Sequence, residues 1–523
     1  MELEKLLILE QATAKGRREM FRLGTALLFL VGIMLYITMR GGEVSVSLVV
    51  AAMIGGYMAL NIGANDVANN VGPAVGSKAL TLTGAIFIAA IFEAAGALIA
   101  GGDVVGTIKS GIINPAAIAD KEVFIWLMTA ALLAGALWLN IATASGAPVS
   151  TTHSIVGGVL GAGIAAGGWG IADWGQMGQI VASWVISPVL GGVVSAGFLY
   201  LIKRTITYKP DMLLAARKVV PLLLALMAWA FTTYLVMKGL KQIWKVDFAS
   251  AVLIGLGFAL ATYVITRPRV ANASTRLENS KQGVNSLFTM PLIFSAALLS
   301  FAHGANDVAN AVGPLAAINE AVMHGAVTSK ASIPLWVMLV GAIGIALGLA
   351  LYGPKLIKTV GSGITELDQM RAFCIAMAAS ITVIVASQLG LPVSSTHIAV
   401  GAIFGVGFLR EYIKANYGRM IETIEEHHLG DDREIVEAYL EKFHSADFEE
   451  KGAMLANLRE SKQAVVDSHL SKKERKGLKN IYRQELVKRS TLMRIVGAWL
   501  ITVPVSALMA AMLYFTIRGM MLP

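Results

Sequence analysis

Apolar runs of about the length that crosses a bilayer as a helix recur along the chain, separated by short polar stretches. They predict spans near 22–38, 44–65, 82–101, 178–202, 219–237, 247–265, 287–305, 333–352 and 494–517. Two further apolar regions, 123–166 and 370–409, are each broken by a polar phrase: Pro148-Val-Ser-Thr-Thr-His153 and Pro392-Val-Ser-Ser-Thr-His397. Proline suits the first turn of a new helix, where its missing N–H costs nothing. A break at membrane depth is tolerated only where it faces protein or water. Both regions therefore read as re-entrant helical hairpins within an all-α polytopic membrane protein.

A second polar phrase is also doubled. Residues 63–71 read Gly-Ala-Asn-Asp-Val-Ala-Asn-Asn-Val and residues 304–312 read Gly-Ala-Asn-Asp-Val-Ala-Asn-Ala-Val, each followed by Gly-Pro. Val104–Ile112 resembles Leu356–Ile364, and Trp184–Pro188 resembles Trp499–Pro504. Each half is thus span, span, hairpin, span. Five spans separate the starts of the halves, an odd number, so the repeats have inverted topology. The division is 1–41, an N-terminal segment with an extra span; 42–202, repeat 1; 203–286, linking spans; 287–410, repeat 2; 411–493, an insertion; and 494–523, the span that completes repeat 2.

Charge orients the chain. One side carries Lys15, Arg17, Arg18, Lys203, Arg204, Lys209, Arg217, Lys218, Arg267, Arg269, Arg276 and Lys281, and the other side is poorer in basic residues. The positive-inside rule makes the richer side cytoplasmic. The N-terminus then lies in the cytoplasm, the C-terminus outside, and the hairpins enter from opposite faces. Residues 411–493 carry 16 acidic and 15 basic side chains and no long apolar run. Helically spaced Ile435, Tyr439 and Phe443 mark them as a small helical cytoplasmic insertion.

Composition narrows the function classes. With 56% hydrophobic residues, 15% charged residues and a mean hydropathy of +0.66, this is no soluble domain. The net charge of +9 belongs to membrane orientation, and nucleic acid is not expected as a partner. A single cysteine, Cys374, excludes an internal disulfide and a cysteine metal cage. No Gly-x-x-x-x-Gly-Lys-(Ser/Thr) loop is evident, which argues against an ATP-driven pump.

The doubled phrases carry the chemistry. A helix N-terminus attracts anions through its unpaired N–H groups. Ser150, Thr151 and Thr152 add hydroxyl donors in one hairpin, and Ser394, Ser395 and Thr396 in the other. Two such ends meeting at mid-membrane would surround a tetrahedral oxyanion; simple helix capping is the plainer alternative. In the second motif Asp66 and Asn69 share a helix face, as do Asp307 and Asn310. Gly63, Gly72 and Pro73 predict an interrupted helix with freed carbonyls, an oxygen-rich site for a hard cation or a proton. A buried Asp–Asn network is the alternative. His153 and His397 are read as packing or hydrogen-bonding on their half-helices. A Ser–His hydrolase is set aside for want of a nucleophile elbow, so no enzyme is expected. Glu93, mid-span, pairs internally or relays protons. His303 stands where Ile62 stands in the first copy.

These residues resemble the inorganic phosphate transporter (PiT) family, which includes sodium–phosphate symporters. The doubled Gly-Ala-Asn-Asp-Val-Ala-Asn phrase is its signature, and the match covers about 42–410 and 494–517. The resemblance implies a secondary symporter importing inorganic phosphate across the plasma membrane (the cell inner membrane in a bacterium), driven by sodium or protons, with no other cofactor. It assigns phosphate to Ser150, Thr151, Thr152, Ser394, Ser395 and Thr396, with Asn65 and Asn306 as helpers, and the cation to Asp66, Asn69, Asp307 and Asn310. A sulfate permease, and a receptor or channel without coupled transport, remain as alternatives; a homodimer is left open. The extra N-terminal span and the late hydrophilic insertion depart from the family's commonest layout.

Overall fold

The structure is a computed structural model describing residues 2–39, 45–118, 120–147, 149–239, 246–325, 333–363, 367–426 and 489–521. It is nearly all helix. The first half runs α1 (Glu2–Met39), α2 (Val46–Asn65), α3 (Val67–Gly76), α4 (Leu82–Ala100), α5 (Gly102–Ser110), α6 (Lys121–Ser145), α7 (Thr151–Gly167) and α8 (Trp174–Ile202). Two linking helices follow, α9 (Met212–Lys238) and α10 (Phe248–Ser274). The second half runs α11 (Lys281–Leu287), α12 (Thr289–Asp307), α13 (Ala309–His324), α14 (Leu335–Gly363), α15 (Gln369–Gln388), α16 (Ser395–Glu426) and α17 (Arg489–Met521). Among the described residues 11 helices are long and apolar enough to cross a membrane, counting α2–α3 and α12–α13 each as one.

The local signals sit where the chain needs them. Asp120, Asp173, Asp211, Asp247 and Asp368 each cap the N-terminus of the helix that follows, accepting a backbone N–H. Gly146 and Gly390 end α6 and α15 in the left-handed region, at φ +75° and +68°. Both glycines close the first leg of a hairpin, where a side chain would strain the turn.

The two halves interlock. α2 packs on α14 and α12 packs on α4; α7 packs on α17 and α16 on α8. Four glycines make the first two crossings. A Cβ on Gly63 or Gly348 would overlap a carbonyl of Ile345 or Leu60, and one on Gly304 or Gly96 would overlap a carbonyl of Glu93 or Phe301. Each contact in one half thus has its counterpart in the other, the packing expected of paired repeats whose small residues let backbones touch.

Burial then separates the functional helices from the lipid-facing ones. The most apolar window of α12–α13 is 89% buried, that of α10 only 11%. Leu253, Leu256, Phe258 and Leu260 of α10 are exposed, a surface suited to acyl chains. The doubled acids therefore lie at the centre of the bundle, and α9–α10 lie at its edge.

The structure extends several sequence boundaries. α16 continues past residue 410 to Glu426, α14 past residue 352 to Gly363, and α17 begins at Arg489. Most of the insertion predicted at 411–493 lies outside the described residues.

Candidate functional site

The two hairpins bring their breaks to the two acid motifs. Ser150 is the N-cap of α7, its Oγ accepting the His153 N–H at 3.1 Å; Ser394 accepts the His397 N–H at 3.2 Å. These two serines do what the capping reading describes. The next residue in each hairpin reaches an acid: Thr151 Oγ1 donates to Asp66 Oδ2 at 2.5 Å, and Ser395 Oγ donates to Asp307 Oδ2 at 2.9 Å. The third residue crosses between repeats. Thr396 donates to Asp66 Oδ1 at 3.2 Å, and Thr152 donates to the Val393 carbonyl at 3.0 Å.

The amides cross in the same way. Asn69 Nδ2 donates to Thr396 Oγ1 at 2.9 Å, and Asn310 Nδ2 donates to Thr151 and Thr152 at 3.1 and 3.2 Å. Hence Asp66, Asn69, Thr151, Thr152, Asp307, Asn310, Ser395 and Thr396 form one cluster at the repeat interface. Ligand atoms of Asp66, His303 and Asp307 all lie within 4.8 Å of one another. All the members are buried. Two carboxylates so close, away from water, call for a cation or a proton between them.

Asn65 and Asn306 behave differently from the rest. Asn65 Nδ2 donates to Thr143 Oγ1 at 2.9 Å and its Oδ1 accepts from the Val149 N–H at 3.3 Å, tying α2 to the hairpin turn. In the orientation that satisfies its neighbours, Asn306 donates to Asp307 Oδ1 at 3.1 Å and to Val393 O at 3.3 Å, and accepts from Ser387 Oγ. Both amides brace the hairpin breaks.

The expected helix interruption is smaller than the sequence suggested. Asp66 keeps right-handed helical angles, its N–H bonds Ile62 O at 2.9 Å, and Asp66 O accepts from both Asn69 N and Asn69 Nδ2. The carbonyls are freed slightly further on, by proline. Pro73 lies inside α3 and Pro314 inside α13. Lacking an N–H, each leaves the carbonyl four residues earlier without its helical donor. Those carbonyls belong to Asn69 and Asn310, the cluster's own amides. Asn69 Oδ1 is also buried without a partner. Oxygen acceptors left without donors beside two carboxylates fit a hard cation.

Sequence reasoning flagged His303 and Glu93 without joining them. His303 Nδ1 lies 2.6 Å from Glu93 Oε2 and its Nε2 lies 2.9 Å from Asp307 Oδ2. Asn70 Nδ2 donates to Glu93 Oε1 at 2.7 Å. In the other half the matching positions are Ile62, Ile345 and Ala311, as the glycine contacts align them. The readable signal was the matched change at all three places.

His153 and His397 meet edge to face, ring centroids 4.3 Å apart; His397 stacks on Trp499 at 3.6 Å, and His153 leans on Trp184 at 3.8 Å with the rings tilted by 44°. They pack the two half-helices together, as expected of them.

A bundle of interlocked repeats, with a buried polar cluster where two broken hairpins meet, defines a membrane transporter. The phosphate transporter family model matches residues 62–510, and the chain belongs to that family. It is 54% identical over 98% of both chains to a Helicobacter pylori (strain J99) protein named "Putative phosphate permease". It is 38% identical to a Pyrococcus abyssi protein of the same description, over 69% of this chain and 89% of that one. A solved structure, "The sodium-dependent phosphate transporter", superposes with a TM-score of 0.74 at 32% identity, covering 91% of this chain and all of the other. The family is one of permeases, so the Ser–His phrases belong to a transporter and not to a hydrolase.

Proposed function

We propose that the protein carries inorganic phosphate across the plasma membrane as a symporter, with sodium as the coupling ion. The observation that carries this reading is the hold on Asp66, whose two oxygens accept hydroxyls from both hairpins, Thr151 and Thr396. A centre shared by both repeats is what alternating access around a fixed site requires. The similar solved structure, described as sodium-dependent, and the orphaned Asn69 oxygen both favour sodium over a proton.

In this reading Asp66, Asp307, Asn69 and Asn310 hold the cation. Phosphate lies against the N-termini of α7 and α16, where the first backbone N–H groups have no helical acceptor. Thr151, Thr152, Ser395 and Thr396 supply hydroxyls. A neutral cage releases an anion more readily than one of buried arginines. Phosphate that retains a proton can donate to a carboxylate, whereas sulfate cannot. Ser150, Ser394, Asn65 and Asn306 shape the breaks. The hairpins turn back near mid-membrane from opposite faces, and the N-terminus and residues 411–493 face the cytoplasm. The deep burial of α15, 83% over its apolar window, suits a leg that meets protein and not lipid.

Radiolabelled phosphate uptake into proteoliposomes tests the reading, with sodium and pH gradients imposed separately. A sodium gradient alone should drive uptake, and excess sulfate should not compete. Uptake on a pH gradient alone would reassign the cation, and no uptake under either would remove the symport reading.

A further inference from the structure

Far from the transport centre, a cavity of about 160 Å³ opens where α8, α11, α15 and α16 meet. Among the described residues its walls include Lys203, Lys281, Arg371, Arg410 and one acid, Asp368. Asp368 is already engaged: it caps α15 by accepting the Arg371 N–H at 2.9 Å and pairs with the Arg371 guanidinium at 2.8 Å. The lining therefore sets Lys203 and Lys281 beside an acid already committed to Arg371. Like charges repel, and a built cluster of them is stabilised by an anion. Lys203 also opens a five-residue π-helical turn, Lys203–Thr207, and such turns are frequent at functional sites. Its ammonium lies 6.0 Å above the Tyr208 ring.

We propose that this cavity binds the phosphate group of an anionic ligand, as a second site separate from transport. Arg410 lies fifteen residues along α16 from Ser395, or about 22 Å at helical rise, so one ion cannot occupy both places. The volume is below the roughly 300–1,000 Å³ of pockets for drug-sized ligands, which fits a single phosphate group with the rest of its ligand outside the cavity. Basic pockets between membrane helices take lipid head groups of this chemistry. A soluble phosphomonoester presents the same group. The occupant would join α11, which leads into the acid-bearing α12, to α15 and α16 of the second hairpin.

The test uses the full-length protein in nanodiscs and in buffer free of inorganic phosphate, read by thermal unfolding. One arm compares phosphatidylglycerol with phosphatidylcholine discs; the other titrates glycerol 3-phosphate into phosphatidylcholine discs. The wild type should be stabilised in one arm, and which arm identifies the source. Lys203→Gln with Lys281→Gln should raise the half-saturating concentration about 25-fold, taking about fivefold, or about 1 kcal/mol, per lost charge. The Lys203→Arg and Lys281→Arg pair should respond like the wild type. If the glutamine pair does not fold, Lys281→Gln alone should show about the fivefold loss. No stabilisation of the wild type in either arm, or an undiminished response in the glutamine variants, overturns the proposal.

Discussion

Removing the hydroxyls that hold Asp66 tests whether the two repeats share one centre. Thr151 and Thr396 approach different oxygens of that carboxylate from different hairpins, at 2.5 and 3.2 Å. A hydrogen bond to a charged group is worth about 1.5–3 kcal/mol. Thr→Val keeps the shape and removes the donor, so each single substitution should destabilise the substrate-free protein by about that much. Thr152→Val is the control. It loses only neutral bonds, one to Val393 O and one from Asn310, and should cost about 1 kcal/mol for each. With both Thr151 and Thr396 replaced, the buried carboxylate loses both hydroxyls at once, and the joint effect should depart from the sum by about 0.5–3 kcal/mol. In an Asp66→Asn background the charged acceptor is gone and both effects should shrink toward the control. Unfolding in mixed micelles without sodium or phosphate would measure all of these. If Thr396→Val costs no more than Thr152→Val, or if the Thr151 and Thr396 effects simply add, the hydroxyls do not act on one carboxylate and the shared centre is wrong.

Asp66→Asn and Asp307→Asn should each abolish driven phosphate uptake while leaving membrane insertion intact; wild-type rates in both would make the acids structural. A cysteine at Ser468 should resist an impermeant thiol reagent added to intact cells, and labelling from outside would reverse the proposed orientation. Glu93→Gln should leave the fold intact but weaken the hold of His303 on Asp307, so Asp307-dependent cation binding should suffer more than the Asp66 side; equal loss at both would show that the one-sided triad has no local effect.

The sequence exposed the architecture because membranes punish exceptions. Buried polar residues are rare enough that Asp66, Asp307 and the doubled hydroxyl phrases announced themselves. The pairing of repeats was legible in the same doubling. Which group touches which was not. Spacing placed Asp66 and Asn69 on one face, yet it could not show Asn69 reaching across to Thr396, because such contacts depend on how the hairpins dock. The serines misled for a related reason. Ser150 and Ser394 look like their hydroxyl neighbours in the string, but each is the residue at which the helix starts, so its oxygen caps the backbone. Gly63 suggested a broken helix, whereas its lack of a Cβ admits the α14 backbone. The Glu93–His303 link spans two helices and 210 residues, and only the matched departures from symmetry hinted at it.

The same contacts give the proposed symporter a physical basis for coupling. A hydroxyl has one proton to donate. In the structure Thr151 and Thr396 give theirs to Asp66, and Ser395 gives its own to Asp307. To donate to phosphate they must leave the carboxylates, and a buried carboxylate without donors is costly unless a cation takes their place. Phosphate therefore favours cation binding, and by linkage the cation favours phosphate by the same factor. One transferred hydroxyl bond, at about 1.5–3 kcal/mol, corresponds to about 10- to 150-fold. Calorimetric titration of phosphate with and without sodium, and of sodium with and without phosphate, should return equal factors in that range. Thr396→Val should weaken phosphate binding and reduce both factors together, since its hydroxyl can no longer move from Asp66 to the substrate. Equal phosphate affinity with and without sodium would mean that the hydroxyls do not change partners, and coupling would then have to arise elsewhere than in this cluster.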